Sequence, residues 1–146
     1  MSIDLSQKQD DKNEKYSLLL WHRLASLYKN NLKGSSELLK KWELSNAQID
    51  VMIQISMVGK LSQQELADKL LVTKGNVTQL LKKLEQMGLI QREKDWKTNY
   101  ISLTDEGNRI CEQIKPSLRN YQMDYFHKLS IEQKKQLLKL LAQIEK

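Results

Sequence analysis

Cysteine is almost missing from this chain: one residue, Cys111, in 146. A single thiol forms no intrachain disulfide, and with only two histidines the chain is short of soft ligands for a transition metal. No metal or other cofactor is therefore expected. No Ser/His/Asp set and no phosphate-cradling glycine loop is evident, so no reaction can be named and an enzyme is not expected. Long apolar runs are missing too. Nothing approaches the ~20 residues of a membrane-spanning helix, and the polar amino terminus, MSIDLSQKQDDKNEKYS, has no apolar core of the secretory kind. A cytoplasmic protein without a membrane partner is expected. Proline occurs once, glycine five times, and aromatics make up 6%. Scarce breakers beside abundant Leu, Lys, Gln and Glu predict a mainly helical chain.

What is present is 29% charged and 40% hydrophobic residues, a globular balance with a polar mean hydropathy of −0.61. The formal net charge is +6, yet it is spread evenly, at +2 in each of residues 1–60, 61–104 and 105–146. No segment is a basic tail, so binding to a polyanion has to come from three-dimensional placement of the charges.

Residues 1 to about 11 carry no apolar pattern and read as a frayed start. From Tyr16, residues Leu20, Leu24, Leu27 and Tyr28 recur at helical spacing, with Leu19, Trp21 and Leu32 widening the stripe. Gly34, Ser35 and Ser36 are a candidate kink before the helix ends near Trp42. Ser45 with Gln48 forms a capping box that opens a second helix, whose buried side is read as Ile49, Met52, Ile53 and Met57 or Val58, with Gly59 as its stop. Ser62 to Glu65 is another box, opening a short third helix. Thr73 can cap a fourth, in which Val77, Leu80, Leu81, Leu84 and Met87 face inward and Gly88 ends it. Two short strands, 89–94 and 99–103, flank a polar tip and predict a β-hairpin. Thr104 caps a long fifth helix that Pro116 is expected to bend or split, and Ser130 with Gln133 opens a last helix lined by Leu137, Leu138, Leu141 and Ile144.

Short helix, turn, helix, hairpin between Leu61 and Leu103 is the plan of a winged helix-turn-helix, which places its second helix in the DNA major groove. With the apolar set inward, Gly75, Gln79, Lys82 and Gln86 face outward, flanked by Thr78 and Lys83, and that face carries no acid. Such a face suits a phosphate-lined groove, because lysines release counterions while amides hydrogen-bond base edges. Thr78 and Gln79 are assigned as base readers. Lys82, Lys83, Ser62 and Gln63 are assigned to phosphate, and Lys74, Gly75 and Asn76 to the end reaching deepest, Gly75 allowing close backbone approach. The bland alternative is an ordinary solvated helix face.

The ordered set Leu44-Ser45 with Gln48, Glu65-Leu66-Ala67, Val72-Thr73-Lys74-Gly75 with Val77-Thr78, Leu84-Glu85 with Gly88-Leu89-Ile90 and Arg92, and Leu103-Thr104 with Gly107 resembles the multiple-antibiotic-resistance regulator (MarR) family. The resemblance implies a mainly α fold with a small β-hairpin wing: a winged helix-turn-helix lobe at 44–104 between helical dimerisation segments at 1–43 and 105–146. It implies a homodimeric, sequence-specific repressor or activator of transcription on a pseudo-palindromic operator in double-stranded DNA, of which a repressor released by a small effector is the form expected here. Thr73, Arg92, Lys94, Lys97 and Thr98 join the DNA-binding candidates on this basis. The wing departs from the family, being about three residues short and lacking the usual arginine near the tip, so Lys94, Lys97 or Thr98 is left for phosphate. Trp96 is expected to pack on its own lobe rather than to act as a wedge. The rival function is a winged-helix protein-interaction module without specific DNA binding.

Trp21, Tyr28, Trp42 and Met52 are candidates for bordering a pocket, in which the resemblance implies a small aromatic or phenolic effector, with plain core as the alternative. Cys111 is expected to be a small buried hydrophobe rather than an oxidant sensor. His22 and His127 are expected to be ordinary surface or interface residues.

Overall fold

The computed structural model describes residues 4–70 and 74–145, and only the backbone of 74 and 75. Helix α1 spans Leu5–Leu39 and is followed by a 3-10 turn, Lys40–Trp42. Then come α2 (Asn46–Val58), β1 (Lys60–Ser62), α3 (Gln63–Lys69), α4 (Lys74–Gln86), β2 (Ile90–Asp95), β3 (Thr98–Leu103), α5 (Asp105–Tyr125) and α6 (Ile131–Ile144). The chain divides into two compact units, Met1–Glu37 and Leu38–Lys146.

In the first unit the helix begins earlier than its apolar pattern. Asp4 supplies the missing start signal: its carboxylate accepts from the Ser6 amide at 3.0 Å, and its carbonyl accepts from the Lys8 amide. The Ser6 amide, and with it the Ser6 hydroxyl, which donates to the other carboxylate oxygen at 2.8 Å, hold the Asp4 carboxyl below its usual range. Residues 5–11 are therefore helical rather than frayed, and the helix runs through Gly34, Ser35 and Ser36 without interruption.

The second unit is built around one apolar cluster. α2 contributes Ile49, Val51, Met52 and Ile55, α3 Leu66, α4 Val77, Leu81 and Leu84, the sheet Leu61, Ile90, Ile101 and Leu103, and α5 Cys111 and Ile114. Ser45 caps α2 in a complete box with Gln48, and Ser130 does the same for α6 with Gln133. Ser62 caps α3 by accepting from the Glu65 amide at 3.1 Å. Met57 and Val58 are exposed, against the sequence reading, because α2 turns its Ile49–Met52–Ile55 side inward and ends at Gly59. Met87 is exposed as well, lying just beyond the last turn of α4.

The sheet has three strands in the order β1-β3-β2, all antiparallel, so the hairpin is joined by a strand that the sequence reading did not contain. Gly88 ends α4 with φ +74, and the amides of Gly88 and Leu89 return to the carbonyls of Glu85 and Leu84. Thr104 locks this turn to α5. Its hydroxyl donates to the Gly88 carbonyl at 2.6 Å and accepts from the Gly107 amide at 3.1 Å. Pro116 does not split α5, which continues from Asp105 to Tyr125. Proline's φ fits a helix, and the carbonyl deprived of its donor belongs to Glu112, an exposed residue with water at hand.

Candidate nucleic-acid interface

Two capped helices and a hairpin hold the candidate residues. α4 buries Val77, Leu81 and Leu84 and half-buries Leu80, which leaves Asn76, Thr78, Gln79, Lys82 and Lys83 exposed. The only acid in α4, Glu85, is also exposed, but the guanidinium of Arg92 on β2 holds it at 2.8 Å. The outer face of the helix is therefore free of uncompensated negative charge. Arg92 is thereby engaged in tying the wing to α4. Such a half-exposed pair adds at most about 1 kcal/mol, so its effect is mainly to orient the two elements.

α3 and α4 meet across a shallow groove of about 270 Å³ lined by Gln63, Gln64, Ala67, Val77 and Thr78. There the Gln63 amide donates to the Thr78 hydroxyl at 2.9 Å, so a residue assigned to phosphate and one assigned to bases are joined directly. A second shallow depression of about 230 Å³ lies along α4 between Ala47, Asn76, Gln79, Leu80 and Lys83. Ser62 serves both as a β1 residue opposite Tyr100 and as the α3 cap. Lys74 and Gly75 open α4, and Thr73 lies outside the described residues.

Lys94, Lys97 and Thr98 are exposed on the wing. Asp95 pairs with Thr98 and leaves a two-residue turn, Trp96-Lys97. Trp96 does not pack on the lobe: it is 84% exposed, with φ +59. The reason is local, since a tight turn projects its first central side chain away from both strands. Lys60 was overlooked by the sequence reading. Its ammonium lies 3.3 Å from the Asp95 carboxylate and 4.8 Å from the centre of the Tyr100 ring, bracing the wing from β1. The only sequence signal was the alternation Lys60-Leu61-Ser62, three residues long.

Of the effector-pocket candidates, Trp21 and Tyr28 are exposed on α1. Met52 is wholly buried in the core, and half-buried Trp42 donates its indole N–H to Gln113 at 3.3 Å. Cys111 is a core residue. Burial pushes its thiol pKa up, Lys115 pulls it back and Glu112 adds to the rise. The ring of His127 bonds the Asp124 carbonyl at 2.8 Å, and His22 is exposed. Among the described residues no group of three or more His, Cys, Asp or Glu is arranged to hold a metal, and no helix is long and apolar enough to cross a membrane.

A short helix capped against a sheet edge, a second helix with a bare polar outer face, and a braced hairpin define the class: a winged helix-turn-helix DNA-binding protein. Residues 44–97 match the MarR family model. An uncharacterised HTH-type transcriptional regulator of Bacillus cereus is 38% identical over 129 residues, covering 88% of each chain. In fold, the chain is similar to a mutant of MarR from E. coli complexed with operator DNA, at TM-score 0.80 and 22% identity, covering 88% of this chain and 95% of that one. It is equally similar to BpsR of Bordetella bronchiseptica, whose DNA binding is regulated by 6-hydroxynicotinic acid, at TM-score 0.80 and 17% identity, covering 88% and 99%. This chain belongs to the MarR family of transcription regulators. Members of that family regulate transcription and are not enzymes.

Proposed function

We propose that the chain is a cytoplasmic, homodimeric repressor that reads a pseudo-palindromic operator in double-stranded DNA. Residues 44–104 form its DNA-binding lobe, and 1–43 with 105–146 supply dimerisation. The observation that carries this reading is the outer face of α4, where Asn76, Thr78, Gln79, Lys82 and Lys83 stand exposed and the one nearby acid is neutralised by Arg92. In a major groove ~12 Å wide, Thr78 and Gln79 face base edges, the Gln79 amide matching adenine. Lys74, Lys82, Lys83, Lys94, Lys97, Thr98, Ser62, Gln63 and Thr73 serve phosphate, with Gly75 and Asn76 at the close-approach end.

Dimerisation is supported by the apolar residues left bare on each terminal helix, Leu18, Leu19, Leu20 and Trp21 on α1 and Ile131, Leu137, Leu138 and Ile144 on α6. Two lobes related by a two-fold axis then occupy successive major grooves about 10 base pairs apart. Release by a small aromatic or phenolic acid is supported by BpsR and its 6-hydroxynicotinic acid. An effector of this kind acts only by binding one lobe spacing more tightly than the other.

The test is selection of duplexes from a random pool, then titration of the winner at several salt concentrations. An enriched palindrome is expected, with Lys82→Ala lowering the salt slope by about one and Gln79→Ala costing about 1 to 3 kcal/mol of base discrimination. A folded dimer that enriches no duplex, with or without 6-hydroxynicotinic acid, overturns the reading in favour of a protein-interaction module.

A further inference from the structure

Two glutamines open α3, and their amides are engaged differently. That of Gln64 turns back along its own helix to the Asp68 carboxylate at 3.2 Å, whereas that of Gln63 leaves α3 and donates to the Thr78 hydroxyl on α4 at 2.9 Å. The backbone under Gln63 is fixed from both sides. Ser62 pairs with Tyr100 across the sheet and caps α3 through the Glu65 amide, and Leu61 and Leu66 are buried before and after it. Gln63 and Thr78 therefore meet at a set place, the groove between α3 and α4 that both side chains line.

Folding has little use for this bond. Ordering a long glutamine side chain forfeits rotamer freedom, and a hydrogen bond between neutral groups at the surface returns only a small net gain. What it does achieve is a choice of rotamer at Thr78. On a helix, threonine divides between two χ1 wells, because its hydroxyl can bond a carbonyl of the preceding turn, and a donor arriving from α3 favours the well that aims the oxygen across the groove. The consequence falls on base reading. A threonine meets bases through its hydroxyl or through its methyl, and χ1 decides which branch faces them. The amide nitrogen of Gln63 also carries a second proton, which suits the phosphate role given to this residue above.

Resting on the DNA-binding reading above, we infer that Gln63 is a positioning residue for base recognition: its amide holds the Thr78 hydroxyl and thereby sets the base preference beneath Thr78 without itself touching a base. With its second amide proton on a phosphate, Gln63 joins a contact that fixes register to a contact that reads sequence. A residue serving phosphate alone weakens every duplex alike. Gln63 acts in addition at one position of each half-site.

The experiment measures full-length wild type, Gln63→Met, Thr78→Ala and the double variant on the duplex selected by the wild type and on each of its single-base variants. Methionine matches glutamine in length and helix propensity and lacks the donor, so Gln63→Met is expected to unfold at the wild-type temperature. Beyond a small loss common to all duplexes, from the phosphate bond, its discrimination is expected to fall about fivefold at one position of each half-site, the effect of one neutral hydrogen bond. That position is the one at which Thr78→Ala acts. Preferences elsewhere stay, and so does the salt slope, because no cation is lost. In the Thr78→Ala background, Gln63→Met changes discrimination there no further, since the two residues act as one unit. A loss uniform over all duplexes, or a change of preference that persists undiminished in the Thr78→Ala background, overturns the inference. If Thr78→Ala alters base preference while Gln63→Met leaves it intact, only the positioning role falls. If the wild type enriches no duplex, the DNA-binding reading falls and the positioning role with it.

Discussion

Helices α2 and α6 are of similar length and both open on a complete capping box, yet α2 buries five residues and α6 buries none. Local signals are thus equally good in the two, and what separates them is company. α2 is enclosed by the sheet, α3, α4 and the first half of α5, so that Met52 and Ile55 have no exposed surface. α6 presents Leu137, Leu138, Leu140 and Ile144 to solvent. Fully burying a leucine is worth about 1.5 to 3 kcal/mol, so the winged lobe gains its stability within one chain, whereas α6 leaves that gain unrealised on its bare apolar stripe.

The sharpest way to break that contrast is Leu138→Glu. In a two-fold interface the substitution acts twice, removing about 3 to 6 kcal/mol per dimer and weakening association at least about a hundredfold. Light scattering at micromolar concentration should show a wild-type dimer and a variant monomer, with the lobe still unfolding cooperatively. A monomeric wild type would mean that the bare stripe on α6 is not an interface.

A lobe that closes on itself should instead fail at any protein concentration. Gly107, in the first turn of α5, faces the Leu89 carbonyl so closely that a Cβ would overlap its oxygen. The obstacle is backbone held by the Gly88 turn and Thr104, so it cannot swing aside. Gly107→Ala is expected to cost about 2 to 3 kcal/mol, lowering the thermal midpoint by several degrees irrespective of dilution. A loss that vanished on concentrating the protein would tie α5 to the dimer instead.

The same contrast explains what could be read in the sequence. Ser45 with Gln48, Ser130 with Gln133, the Thr104 cap and the Gly88 stop are signals spanning a few residues, and the structure keeps all of them. The inward set of α4 was legible for the same reason, and with it the polar outer face by subtraction. β1 was not, because Lys60–Ser62 is three residues whose partners, Tyr100 to Ser102, lie far along the chain. The bracing of Asp95 by Lys60 depends on that pairing and was hidden with it. Trp96 misled for another reason. Hydrophobicity points an indole inward, but a tight turn fixes its direction by backbone torsion, which outweighs the side chain's preference. Asp4 capped a helix whose first turns carry no apolar stripe to announce them.

Cys111 locates where the self-completed core ends along α5, and it offers the smallest of these effects. The residue is 2% exposed between buried Gly107 and Ile114, while Tyr121 and Tyr125 further along are only half-buried. Burial raises the thiol pKa above its unfolded value, so the folded state keeps its proton where the unfolded state has released it. Stability from this source is complete below the unfolded value of about 8.5 and drains away as pH climbs through the folded one. Cys111→Ala lacks the titration. The stability advantage of wild type over Cys111→Ala should therefore shrink between neutral pH and about pH 10, and alkylation of the native thiol should be slow at neutral pH. An advantage independent of pH would place the thiol in contact with water and move the edge of the core back toward Gly107.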